Sequence, residues 1–260
     1  MDSTYPKPQK SRNTSVIVIP ARLASTRLPE KLLLRETGKS VLQHTYEAAL
    51  TARRPSKVIV AVDHERLLTE VQQFGGQAIM TDPNAASGTD RITEVARAVD
   101  FEIFVNVQGD EPEISGEAID QVIELLENNP EAAVATLATP IRTRENLEDP
   151  ACVKVVCSQQ GNALYFSRSV IPHPREWTDS LLSSNPSLFL QHLGIYAYRR
   201  DFLLSLKNLA PSPLETTEKL EQLRFLQNGF KIQVGIVEHT TRGIDTLADY
   251  QAFVRRKKKC

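Results

Sequence analysis

Arg22, Arg27 and Lys31 follow directly on an apolar run in the stretch "VIVIPARLASTRLPEKLLL", Val16 to Leu34. Two guanidinium forks and one ammonium on a single loop suit a polyphosphate, whose charge needs several donors at once. Any one of these cations alone reads as solvated surface charge. Grouped after an apolar run, with Pro29 stiffening "LPEK", they read as an anion grip. The glycine-rich alternatives are missing: neither GxGxxG nor GxxxxGK[ST] occurs, so side chains rather than bare amides must hold the anion.

Carboxylates supply the second half of such a chemistry. Asp110 ends the string "FVNVQGD", and an acid beside a polyphosphate is how Mg²⁺ is commonly recruited. Asp110, Glu111 or Glu113 reads equally as an acid before the helix that starts at "SGEAIDQ". Asp245, in "GIDTLADY", is either a second metal carboxylate or the cap of the last helix. "SGT", Ser87 to Thr89, either caps the helix that follows or contacts a nucleotide. His192, Glu221 and Gln222 are polar groups in apolar surroundings, and a lone histidine there is more often a structural hydrogen-bonder than a catalyst.

The elements that must position these groups alternate along the chain. "VIVIP", "KVIVAVD", "AIMT", "FEIFVNVQ" and "AAVATLA" are strand-like, and helical patterns such as "SVLQHTYEAALTA", "HERLLTEVQQFG", "TDRITEVARAV" and "SGEAIDQVIELLEN" lie between them. Continuous rather than alternating apolar strands are expected of parallel strands covered on both faces. The pattern predicts an α/β fold with a doubly wound, mostly parallel sheet, in which ligands sit beyond the carboxyl ends of the strands. After Pro140 the texture changes to short strands, turns and prolines, with no clear helix before "RRDFLLSL". We expect a single domain over 15–255 with a smaller inserted antiparallel lobe at about 140–200, following a disordered tail at 1–14.

With 260 residues, 41% of them hydrophobic, the chain can bury one substantial core. Lys plus Arg number 31 against 32 Asp plus Glu, so no global field favours nucleic acid or an acidic membrane. No apolar run is long enough to span a bilayer, and the polar start "MDSTYPKPQKSRNTS" has no signal-peptide core. The cytoplasm is the default compartment, and Cys152, Cys157 and Cys260 match no zinc or redox spacing. The basic end "RRKKKC" complements the dipole of a closing helix.

Taken in order, "IPARLASTRLPEK", "SGTDRITEV", "VNVQGDEP", "VKVV", "ALYFSR", "FLQHLGIYAYR", "PSPLE", "LEQLRFLQNG" and "GIDT" resemble the 3-deoxy-manno-octulosonate (Kdo) cytidylyltransferase family. The resemblance runs from about Val16 to Tyr250 and implies a nucleotide-diphospho-sugar transferase-like fold. It also implies a reaction in which CTP and Kdo give CMP-Kdo and pyrophosphate for lipopolysaccharide assembly, with Mg²⁺ and a homodimer. Position by position, it implies that Arg22, Arg27 and Lys31 grip the CTP phosphates and that Ser87, Gly88 and Arg91 lie near the nucleotide. Asp110 and Asp245 would be the Mg²⁺ ligands. Gln108, Arg168, His192, Tyr196, Glu221 and Gln222 would line the sugar-acid pocket, Arg168 meeting the Kdo carboxylate. Three stretches depart from the family pattern: Glu30 stands for a glycine, "HTTRGIDT" for a more glycine-rich approach to Asp245, and "IPHPREW" varies the sugar side. The last leaves room for an 8-amino sugar. A sialic acid cytidylyltransferase and a non-catalytic homologue are the other readings.

Overall fold

β1 (Ser15–Ala21) is buried at every position, because helices cover both faces of the sheet it runs through. Ile17 and Ile19 point into one core, and Val16 and Val18 into the other. The structure is a computed structural model that describes residues 15–238 and 243–258. The expected tail at 1–14, the departures at Thr240 to Arg242 and Cys260 lie outside the described residues.

The strands after β1 are β2 (Val58–Val62), β3 (Ala78–Met80), β4 (Ile103–Asn106), β5 (Val134–Pro140), β6 (Lys154–Cys157), β7 (Ala163–Ser167), β8 (Leu190–Arg199) and β9 (Ile232–Ile236). The helices are α1 (Val41–Ala49), α2 (Glu65–Gln73), α3 (Gly88–Ala98), α4 (Gly116–Asn128), α5 (Arg144–Glu148), α6 (Arg200–Ser205), α7 (Pro213–Glu218), α8 (Gln222–Gln227) and α9 (Leu247–Lys257). One sheet runs in the order β3-β2-β1-β4-β8-β5-β9. β1 is parallel to β2 and β4, and β5 is parallel to β9, whereas β8 is antiparallel to both of its neighbours. Apolar side chains of α1, α2, α4 and α9 fill one core, and those of α3, α6 and α8 fill the other.

The segment expected as an inserted lobe at 140–200 does not stand apart from this sheet. Its last strand, β8, lies in the middle, where Ile195 and Ala197 feed one core and Tyr198 the other. β6 pairs with the start of β8 and carries β7 as an outer antiparallel strand. A small separate cluster of Ile141, Leu147, Cys152 and Phe189 packs nearby. One short helix appears earlier than expected: α5, in "RENLE", is started by the Thr143 side chain accepting from the Asn146 amide. Cys152 and Cys157 are free thiols.

Caps settle three open assignments. The Ser87 hydroxyl accepts from the Asp90 amide at the start of α3, in a full capping box. Ser115 caps α4, so Asp110, Glu111 and Glu113 are not its caps. Thr246 with Asp249 caps α9, which leaves Asp245 free for other work.

Arg91, on α3, is only 4% exposed. Its guanidinium donates to Thr81 Oγ1 at 3.0 Å, to the Asp82 carbonyl at 2.8 Å and to Asp63 Oδ2 at 3.2 Å. Asp63 in turn accepts from the Leu23 amide at 2.9 Å, so this pair ties the ends of β2 and β3 to the loop after β1. Arg91→Met leaves the largely covered Asp63 carboxylate without its cation and should cost about 3 kcal/mol. Urea unfolding followed by circular dichroism measures this, and an unchanged midpoint would show that the pair does not hold the fold.

Candidate active site

The chain winds outward from β1 through β2 to β3 and then returns to place β4 on the other side of β1. At that reversal the loops after β1 and β4 part, and a crevice opens between them. Arg22, Arg27, Lys31, Gln108, Asp110 and Asp245 line a cavity there of about 250 Å³. Leu28 and Leu32, both buried, hold the first loop down on either side of the turn that carries Lys31. Gly109 lets the two loops meet: a Cβ at that position would lie 3.0 Å from the Pro20 carbonyl.

Lys31 Nζ is the centre of the cavity. It donates to Asp110 Oδ2, to the Ile244 carbonyl at 2.8 Å and to Asp245 Oδ1 at 3.3 Å. The Ile244 amide donates to the Asp110 carbonyl at 2.8 Å, which joins the segment after β9 to the loop after β4. The side chains of Lys31 and Asp110 are 15% and 23% exposed, so their charges act in a partly dry setting. Arg27 donates to Asp245 Oδ1 at 2.8 Å from a side chain that is 66% exposed, a position from which it can swing to an incoming anion. Arg22 is exposed at the rim.

Two carboxylates from distant segments therefore converge on one cationic point. Among the described residues no cluster of three or more His, Cys, Asp or Glu is arranged to hold a metal ion by itself. Asp110 and Asp245 are hard oxygen donors, the kind that would hold a divalent cation such as Mg²⁺.

A second group gathers on the α3 side of the sheet. Thr89 Oγ1 donates to Glu221 Oε2 at 2.5 Å, Arg224 Nη2 donates to Glu221 Oε1 at 3.0 Å, and Ser87 Oγ lies 3.4 Å from the same oxygen. Burial raises the Glu221 carboxyl above the usual range against these bonds. Gly88 faces Pro20 and Gln108, and Gln108 Nε2 donates to Asn106 Oδ1 at 3.0 Å. Gln222, at the start of α8, is buried.

His192 and Tyr196, on β8, lie with ring centroids 5.3 Å apart and planes tilted by 51°, and Phe166 meets the imidazole edge-on at 5.0 Å. His192 Nε2 lies 3.1 Å from Thr136 Oγ1, beside an irregularity in the β5–β8 pairing. Burial pushes this imidazole down to about 3, so it is neutral.

Two residues expected near the substrates also hold structure. Arg91 has its donors engaged as described above. Arg168 donates from Nε to the Glu218 carbonyl at 2.7 Å and from Nη1 to the Pro150 carbonyl at 3.0 Å, while Lys154 Nζ donates to the Arg168 carbonyl at 2.6 Å. Neither lines the cavity around Lys31.

A larger cavity of about 480 Å³ shares Asp245 with the first and is also lined by Glu111, Asp149, His192 and Gly194. Burial, with the neighbouring Asp110 charge, raises the Glu111 carboxyl to about 7. In the sequence Glu111 reads both as a helix-start acid and as one of the polar residues that directly follow β4. Its position beside Asp110 was the one signal that it faces a site.

A family model for cytidylyltransferases matches residues 16–232. The chain is 55% identical over 243 residues to the 3-deoxy-manno-octulosonate cytidylyltransferase of Rhodopirellula baltica, a match covering 93% of this chain and 97% of that protein. To the enzyme of the same name from Geobacter sulfurreducens it is 44% identical over 245 residues, covering 93% and 98%. The solved structure of CMP:2-keto-3-deoxy-manno-octonic acid synthetase complexed with CTP superposes with a TM-score of 0.89 at 41% identity, covering 95% of this chain and 99% of that one. The 4-diphosphocytidyl-2C-methyl-D-erythritol synthase of Anaerococcus prevotii, at 14% identity and a TM-score of 0.61 over 96% and 100% of the two chains, shares the fold alone. Identity of this order along nearly the whole chain, in a fold whose crevice gathers cations around paired carboxylates, means that the chain belongs to the 3-deoxy-manno-octulosonate cytidylyltransferase family.

Proposed function

We propose that the protein transfers CMP from CTP to the anomeric hydroxyl of Kdo, releasing pyrophosphate and giving CMP-Kdo for lipopolysaccharide assembly. The observation that carries this reading is the meeting of Lys31, Asp110 and Asp245 in one crevice rimmed by Arg22 and Arg27. The names of the relatives supply the sugar acid. Mg²⁺ bound at Asp110 and Asp245 would neutralise triphosphate charge and lower the pKa of a coordinated hydroxyl.

The chain's own residues do the rest by positioning and electrostatics. Arg22 and Arg27 draw the triphosphate into the crevice, and Lys31 stands where negative charge grows as pyrophosphate leaves. The sugar hydroxyl attacks the α-phosphorus opposite that leaving group, with no covalent enzyme intermediate. Gln108, Tyr196, Glu221 and Gln222 contribute polar groups on the sugar-acid side, and His192 does so as a neutral ring. Arg168 keeps Nη2 and one hydrogen of Nη1 for a carboxylate, because Nε and the other Nη1 hydrogen are engaged with carbonyls. Among the described residues no helix is long and apolar enough to cross a membrane, and we assign the enzyme to the cytoplasm. We also assign a homodimer, a reading favoured by Leu164, 61% exposed on the outer strand β7.

Pyrophosphate release measured with CTP and Kdo, 8-amino-Kdo or sialic acid tests the substrate, and turnover with sialic acid alone would overturn the reading. Lys31→Ala and Asp110→Asn should each lower kcat by roughly 10²–10³ in the same assay, the cost of removing one preorganised charge partner. Chelation should abolish turnover, and added Mg²⁺ should restore it.

His192 makes a separate prediction about pH. Its folded-state pKa of about 3 lies below the ordinary value near 6.5, so ionisation favours the unfolded chain as soon as pH falls below about 6.5. The contribution is complete above that pH and declines toward about 3. Between pH 7 and pH 5 the parent should lose about 2 kcal/mol more than His192→Gln, read from urea unfolding at the two pH values. Equal losses in the two proteins would show that the ring titrates in the folded protein as it does in the unfolded chain.

A further inference from the structure

The turn that carries Lys31 is gripped from outside by α2 at both of its ends. Glu30, immediately before Lys31, has a left-handed backbone, φ 49° and ψ 30°, which is unfavourable for any residue with a Cβ. Its carboxylate takes both terminal nitrogens of Arg66, with Nη2 2.8 Å from Oε2. Beyond the turn, Arg35 Nη2 donates to Glu70 Oε2 and, at 3.3 Å, to Gln73 Oε1.

Arg66 and Glu70 stand one helical turn apart, which places them on the same face of α2. Their charges run in the reverse order to Glu30 and Arg35, so each end of the turn meets its complement. α2 is a firm support: Leu67 and Val71 are fully buried in the core. Glu70 is itself 5% exposed, and among the described residues its Oε1 has no hydrogen-bond partner and Arg35 is the cation paired with this buried carboxylate. Between the two pairs, the Lys31 side chain reaches Asp110, Asp245 and the Ile244 carbonyl.

We propose that Arg66 and Glu70 act as a two-point clamp that keeps Glu30 in its left-handed conformation and so aims Lys31 into the crevice. They are positioning residues, which act through the turn without touching substrate. That Lys31 then meets nucleotide phosphates rests on the function proposed above, whereas the clamp does not. The Glu30–Arg66 pair is about half exposed at both partners, so its effect should be local to the turn, with little contribution to global stability.

The test compares the parent, Arg66→Ala, Glu30→Gly and the double variant, because glycine takes a positive φ without needing the clamp. Hydrogen exchange reads the Leu33 and Leu34 amides, which close the turn on the Glu30 and Lys31 carbonyls. Calorimetric titration reads CTP, and steady-state kinetics read the KM for Kdo. Arg66→Ala should raise exchange at the two amides at least fivefold and weaken CTP binding at least fivefold, with the KM for Kdo within twofold and the thermal midpoint unchanged. In the Glu30→Gly background, Arg66→Ala should change each readout by less than twofold. Unaltered exchange in Arg66→Ala, or equal effects in both backgrounds, overturns the clamp. Faster exchange with unchanged CTP affinity overturns its role in aiming Lys31. A parent protein that binds no CTP overturns the proposed function instead, and the exchange measurements then decide the clamp alone.

Discussion

Asp110 follows β4 near the middle of the sheet, and Asp245 lies beyond β9, the strand at its far edge. Two carboxylates brought together from such distant segments repel each other unless a cation lies between them. The Lys31 ammonium occupies that place, and the Ile244 carbonyl accepts a third bond from it. Among the described residues no other cation lies between them, so this lysine balances the two acids, and the Ile244 amide bond to the Asp110 carbonyl joins their segments.

The rest of the architecture serves that meeting. The reversal of strand order at β1 and β4 opens the crevice, and the close approach at Gly109 seats one loop against the other. Thr246 caps α9 immediately after Asp245, and this fixes where the returning chain must stop and turn into a helix. Asp245 also borders the larger cavity, so a single carboxylate faces both compartments. A charge brought into one of them is felt at the mouth of the other.

Much of this was legible in the residues. Apolar runs that do not alternate revealed strands buried on both faces, and cations placed straight after such a run marked the loop that lines the crevice. Spacing could not say whether Asp245 was a cap or a ligand, because the capping box at Thr246 and Asp249 becomes decisive only when the helix start is known. Arg91 and Arg168 show a different limit. A motif identifies the residue type, yet which of its donors remain available depends on carbonyls supplied by remote segments, Asp82 for one and Pro150 and Glu218 for the other. In the segment 140–200 the antiparallel texture was legible, but prolines and short strands do not encode the long-range pairing of β8 with β4 and β5. Glu30 was visible as an oddity, but its remedy, Arg66, lies on another element.

The central position of β8 has a consequence for how the chain is made. β4 and β5 leave the ribosome first, and each presents an unpaired edge until Leu190–Arg199 arrives to join them. Exposed edges of apolar strands are templates for pairing with other chains. Synthesis thus passes through a window in which the half-built sheet is adhesive, and the late strand that closes it is also the one that carries His192 and Tyr196.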